Sequence, residues 1–261
     1  MAFQTADRGG QAAAPRRYRW PTAIRAPLPA APVLASWDRH DHPSQKALTA
    51  FLDTLEPLVR PTLAAPPTDL ALALEVGLPA TTPLTSGGRD LDNYLFPIAA
   101  RFGPARFTAV FARKHHGPSA LTIGPAMLED QTPVDRWSHA AARVTASSAT
   151  TAWKQQLADA LAADPSVQVL PAGPVALHLG FRVSPQRNWA TLWKPAVDAL
   201  GGLLGLEDPA RRFHPRDDRI VELGLQQVVD LSIGHAVDID IWWRPAGSRS
   251  RRWPFLRRAG R

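Results

Sequence analysis

The chain has 261 residues, 45% of them apolar, and a formal net charge of +7, enough for one large domain or two small ones with a real core. It has no cysteine, which excludes structural disulfides and thiolate metal sites. No stretch approaches the roughly 20 apolar residues of a membrane span, and the N-terminus lacks the apolar core of a signal peptide, so a soluble cytoplasmic protein with no membrane partner is expected.

Residues 1–42 are rich in proline, alanine and arginine and read as an irregular N-terminal segment with a short strand around "YRWPTAI". From 43 to 59, Leu48, Phe51, Leu52 and Leu55 recur at helical spacing after a Pro-Ser start that suits a cap. "TDLALALEVGLP" alternates Leu70, Leu72 and Leu74 with alanines and reads as a strand buried on at least one side. A glycine-containing loop leads to a short helix over about 93–102, ended by Gly103. Two further strands, "RFTAVFARK" and "SALTIGPA", flank a His-His-Gly-Pro turn.

The order then recurs. "SSATTAWKQQLADALAAD" predicts a helix, "GPVALHLGFRVSP" a strand, "NWATLWKPAVDALGGLLG" a helix, and "RIVELGLQQVV" and "GHAVDIDIWW" two strands. The two copies are offset by about 105 residues at the first helix and about 98 at the second, the mark of a diverged internal duplication. The expected organisation is a segment 1–42, a first repeat 43–125, a linker 126–150, a second repeat 151–243 and a basic tail 244–261. The expected fold class is α+β, two α/β units with small mixed sheets packed as an intramolecular pseudo-dimer.

Several residues can carry chemistry. Asp90 and Asp92 lie two apart just before a helix, with Asn93 beside them. In an extended turn they point to one side and can hold a hard cation such as Mg²⁺; one of them can equally serve as a helix cap. Asp217 and Asp218 precede a strand, where a pair completes a carboxylate cluster or makes a surface turn. Lys194 stands near a helix N-terminus, against the dipole, which a phosphate or Asp198 four residues on would explain; a lysine can also snorkel from an apolar face at little cost.

Lys114, His115 and His116 are candidates for phosphate contact or metal ligation, with a surface turn as the plainer reading. Asp38, His40, Asp41 and His42 form a charged stretch that can bind a metal weakly, with a solvated loop as the plainer reading. Trp242 and Trp243 end the last strand, so alternation sends one of them outward or into a partner. The tail holds Arg249, Arg251, Arg252, Arg257 and Arg258 with no acid, and can neutralise DNA phosphates or stand free in solvent. Serine-nucleophile, phosphate-loop and dinucleotide motifs are absent.

"LWKPAVDALGGLLG" followed by "DDRIVELGLQ" resembles the core of the RusA family of Holliday junction resolvases. In that family a DxDN segment leads into a lysine-bearing helix, and an acidic pair precedes a strand. The likeness runs over 174–243, more loosely over 69–124, and through element order over most of 43–243. It implies an endonuclease dependent on Mg²⁺, with Mn²⁺ as the alternative cation, acting on branched or double-stranded DNA. Aspartates would hold the metal and a lysine would support phosphodiester cleavage.

The match is divided between the repeats. The first has Asp90, Leu91, Asp92 and Asn93 intact, but Phe96 stands at the lysine position and no acidic pair follows. The second has Lys194, Asp217 and Asp218, but Asn188, Trp189, Ala190 and Thr191 replace DxDN. The resemblance therefore implies Asp90, Asp92, Asp217 and Asp218 as metal ligands and, with Lys194, as catalytic residues in one composite site. Asn93, Lys114 and, from the insertion "LEDPARRFHP", Arg211, Arg212 and His214 are expected to meet DNA. A DNA-binding protein without cleavage and an interaction module are the other readings.

Overall fold

The computed structural model describes residues 16–35, 38–39, 41–64, 69–129 and 137–247. The tail arginines Arg249, Arg251, Arg252, Arg257 and Arg258 and the loop residue His40 lie outside the described residues.

The chain is α+β, and its strands form one mixed eight-stranded sheet rather than two small ones. In chain order the first half gives β1 (Arg25–Pro27), α1 (Pro43–Leu63), β2 (Leu70–Leu78), α2 (Leu91–Phe102), β3 (Phe107–His116) and β4 (Ala120–Pro125). The second half gives β5 (Ser138–Val144), α3 (Thr151–Ala162), β6 (Val175–Val183), α4 (Trp193–Asp198), α5 (Gly201–Leu204), β7 (Ile220–Val229) and β8 (Val237–Pro245). The sheet order is β1-β4-β2-β3-β7-β6-β8-β5. Strands β2 and β3 run parallel, as do β6 and β7, and every other neighbour is antiparallel. The halves join through β3 and β7, with Phe111 opposite Gly224.

Short turns do not make hairpins here. After β3 the chain crosses the end of β2, and β4 pairs with β2 on its far side. The crossing brings the Gly117 amide to the Leu78 carbonyl at 3.2 Å. A Cβ on Gly77 would lie 2.0 Å from the Gly117 carbonyl oxygen, so the crossing requires glycine there.

One large core lies on the helix side of the sheet. Leu72 and Leu74 of β2, Val110 and Ala112 of β3, and Leu177 and Leu179 of β6 meet Leu55 of α1, Leu95 and Ile98 of α2, Trp153 and Leu157 of α3, Val197 of α4 and Leu203 of α5. On the opposite face, Ala71, Ala73, Ala109 and Phe111 are covered by Tyr18 and Trp20. The Tyr18 amide donates to Gln226 Oε1 at 2.9 Å, and Gln226 Nε2 donates to the Arg16 carbonyl at 2.6 Å. The N-terminal segment is thereby laid over the junction of the halves, and its short strand is at Arg25–Pro27 rather than around 18–24.

Other expectations are corrected. Helix α1 is capped by His42, whose Nδ1 accepts from the Ser44 amide, so the cap precedes the Pro-Ser pair. His42 also lies 3.2 Å from Asp38, and both side chains are half exposed beside this cap. The expected linker contains β5, an edge strand paired with β8. The helix expected over 188–205 is in three pieces: a 3₁₀ turn at Trp189–Leu192, then α4, then α5. Trp242 and Trp243 are both buried: Trp243 enters the core, and Trp242 packs on the other face beside His139 with ring centroids 5.2 Å apart. Among the described residues, no helix is long and apolar enough to cross a membrane.

Candidate functional site

The carboxylates from the two halves meet where the N-terminus of α2 faces α4 and the turn before β7. Asp90 occupies the cap position of α2 in extended conformation, yet its side chain makes no capping hydrogen bond. Asn93 Nδ2 instead donates to Asp90 Oδ2 at 3.2 Å. Asn93 thus steers Asp90 toward the first turn of the helix. Pro97 lacks the amide that would bond the Asn93 carbonyl in a regular helix, and that carbonyl accepts from the Ala35 amide at 2.8 Å. This tie anchors the first turn of α2, which carries both aspartates.

Asp92 lies within α2 and is only 4% exposed. Burial raises its carboxyl to about 7; Lys194 opposes the rise, while Asp90, Asp217 and Asp198 add to it. Asp90 is also raised, first by burial and then by Asp217, with Lys194 and Lys114 pulling the other way. Asp217 and Asp218 sit in a 3₁₀ turn, Asp217–Arg219, directly before β7. Burial raises Asp218 too, against the attraction of Lys114.

Two lysines hold this cluster together. Lys194 Nζ lies 2.8 Å from Asp217 Oδ2 and 3.2 Å from Asp198 Oδ1, which answers the need of a cation set against a helix N-terminus. Burial opposes its charge, but Asp92, Asp217 and Asp198 outweigh burial and raise its pKa. Lys154 of α3 supports Asp198 from behind at 3.3 Å.

Lys114 is the second lysine. It is 4% exposed and donates to the Asp218 carbonyl at 2.7 Å. Burial lowers its pKa to about 8, although Asp90, Asp218 and Asp217 favour the charge. It lies inside strand β3, not in a surface turn, and belongs to the cluster. The alternation of β3 carries the signal: Val110 and Ala112 face the helix-side core, and Lys114 continues that series toward the N-terminus of α2.

Three carboxylate oxygens in the cluster, Asp90 Oδ1, Asp92 Oδ2 and Asp218 Oδ1, are buried without a hydrogen-bond partner. A buried anionic oxygen is costly unless it is protonated, hydrogen-bonded or bound to a cation. Among the described residues, no three acidic or histidine side chains converge closely enough to hold a metal ion by themselves.

The remaining candidate residues lie on the loop before β7 and at the end of β3. Arg212 pairs with Asp159 of α3 at 2.7 Å, while Arg211 and His214 are exposed on the loop. Arg89 acts electrostatically on Lys114, and Arg216 on Asp218, so two further arginines lie near the cluster. His115 lies 3.4 Å from Glu75 of β2, and His116 Nε2 lies 3.0 Å from the Thr82 carbonyl in the loop after β2.

The site therefore gathers Asp90, Asp92, Lys194, Asp217 and Asp218 from distant parts of the chain and adds Lys114. Such a set can bind a divalent cation, supply ammonium donors to an anionic group, or neutralise itself. No family model, curated protein or solved structure matches the chain.

Proposed function

We propose that this chain is a divalent-cation-dependent, structure-selective endonuclease that hydrolyses phosphodiester bonds of branched DNA. In this reading it is an intramolecular pseudo-dimer of two units resembling the RusA family. The observation that carries the reading is the meeting of Asp90 and Asp92 from the first half with Lys194, Asp217 and Asp218 from the second, in one partly buried cluster with carboxylate oxygens left unpartnered.

The residues fit a hard cation. Mg²⁺ takes oxygen ligands, keeps several waters and usually uses only one or two carboxylates together with substrate phosphate. One or two of Asp90, Asp92, Asp217 and Asp218 would hold it, with water and substrate phosphate completing the coordination. When bound, the ion polarises a phosphoryl oxygen and lowers the pKa of its water. Lys194 presents a half-buried ammonium to the charge that develops at phosphorus. Lys114 holds the Asp218 backbone in place, and Arg89 and Arg216 offer phosphate contacts at the rim.

A second reading, DNA binding without cleavage, is favoured by the contacts of Lys194 with both Asp217 and Asp198, which give the cluster an internal counter-ion. Labelled four-way junction and matched duplex, incubated with Mg²⁺ or EDTA, separate the two. The nuclease reading expects metal-dependent cutting of the junction, reduced at least 100-fold in Asp92→Asn with junction affinity retained. Binding with no incision under Mg²⁺ or Mn²⁺ leaves the second reading.

A further inference from the structure

We infer that the chain makes one incision per bound DNA molecule, a nicking activity, because the position related to the charged cluster by the internal repeat has been closed with neutral side chains. The inference rests on the phosphodiesterase reading above and specifies the reaction that site performs.

The repeat lets each member of the cluster be matched by its place in its own half. Asp90 caps α2, and Asn188 caps the 3₁₀ turn that opens the corresponding helical region. Two residues on, Asp92 corresponds to Ala190; six residues on, Phe96 corresponds to Lys194. The 3₁₀ turn Asp217–Arg219 precedes β7 as Pro104–Arg106 precedes β3, which sets Pro104 and Ala105 against Asp217 and Asp218. Lys114 and Gln227 are each the eighth residue of their strands.

Every one of these counterparts is uncharged, and the groups that remain there are committed to packing or to the backbone. Asn188 Oδ1 accepts from the Ala190 amide at 3.2 Å. Trp189 is 1% exposed, and its indole Nε1 donates to the Pro104 carbonyl at 3.0 Å. Its ring meets Trp193 edge-on at 4.8 Å, and Trp193 meets Phe96 edge-on at 6.4 Å. Gln227 Nε2 donates to the Phe107 carbonyl at 2.8 Å, much as Lys114 donates to the Asp218 carbonyl. The second position has become an aromatic joint between the halves. It offers no carboxylate to a cation and no ammonium to a phosphoryl group.

The reaction at the remaining site is a single hydrolysis. The oxygen of one water bonds to phosphorus, one phosphorus–oxygen bond to the sugar breaks, and the departing sugar oxygen takes up a proton as the water loses one. A second incision on the same DNA requires a second chain or a second binding event.

A supercoiled plasmid that extrudes a cruciform reads the difference directly. A single incision releases the supercoiling, reabsorbs the cruciform and leaves a nicked circle; two incisions within one bound lifetime leave a linear molecule. With the full chain limiting and Mg²⁺ present, the expected product is nicked circle, with no linear molecule accompanying it from the start. Mn²⁺ binding followed by electron paramagnetic resonance supplies a readout independent of cutting. Tight binding should disappear in the Asp90→Asn, Asp217→Asn double variant. Linear product formed from the outset, or tight Mn²⁺ binding that survives the double variant, overturns the one-site inference. Bound plasmid with no incision overturns the phosphodiesterase reading and the nicking activity with it.

Discussion

Asp92 is the residue with most at stake in this fold, because it is only 4% exposed and carries a carboxylate oxygen without a hydrogen-bond partner. Its folded-state pKa of about 7 is above the ordinary aspartate value, so the native chain holds that proton more tightly than the unfolded chain does. The sign follows: the stability associated with the protonated acid is complete below about pH 4 and is lost as pH rises toward 7. Asparagine imitates the neutral acid. Asp92→Asn should therefore match the wild-type Tm near pH 4 and exceed it increasingly up to pH 7.5 in the absence of divalent cations, with Mg²⁺ narrowing the gap. A Tm difference independent of pH would show that the carboxyl does not titrate in this window. The aspartates were legible in the sequence as candidates, whereas the burial that distinguishes Asp92 from a helix cap depends on α4 and the turn before β7, which are remote in sequence. Lys114 was legible as the end of the strand "RFTAVFARK" and as a basic residue beside a turn, but its place in the cluster depends on Asp218, which is remote in sequence.

At the scale of elements, periodicity located most strands and helices but not their connections. Strand β2 reads clearly because Leu70, Leu72 and Leu74 alternate with alanines, and those alanines are small because the N-terminal segment lies against them. Strand β5, "SHAAARV", has too weak an apolar alternation to stand out, and its pairing with β8 makes it a strand. The helix expected over 188–205 breaks at Ala199 and Leu200 before Gly201, whose Cβ would lie 2.6 Å from Leu206 Cδ2, so tertiary packing overrides a helical apolar pattern there. The crossing from β3 to β4 is equally invisible to periodicity, although it fixes Gly77. Gly77→Ala must displace the Gly117 to Ser119 backbone, because the new methyl would lie 2.0 Å from the Gly117 carbonyl oxygen. A loss of about 1–3 kcal/mol is expected in urea unfolding, and an unchanged midpoint would contradict the close crossing.

For the molecule as a whole, the recurrence of helix, strand, helix, strand, strand was readable from the sequence, and so was the division of candidate residues between the halves. The junction was not. Antiparallel pairing of β3 with β7 places a phenylalanine, Phe111, opposite a glycine, Gly224, a pair that no local pattern announces. A Cβ on Gly224 would come within 2.8 Å of the His178 ring, so that glycine makes room for packing on the helix-free face of the joined sheet. This edge-to-edge union brings α2 against α4 and converts two incomplete sets of residues into one cluster. In the proposed pseudo-dimer, the halves are therefore not redundant: one contributes Asp90, Asp92 and Lys114, the other Lys194, Asp217 and Asp218.

That complementarity is tested most directly by measuring four-way junction cleavage with Asp90→Asn, with Asp217→Asn, and with an equimolar mixture of the two variants, while monitoring junction binding. A site built within one chain predicts that each variant binds the junction but cuts at least 100-fold more slowly than wild type, and that mixing restores nothing. Wild-type cutting by either variant alone, or activity recovered on mixing, would contradict a single site assembled from both halves of the same chain.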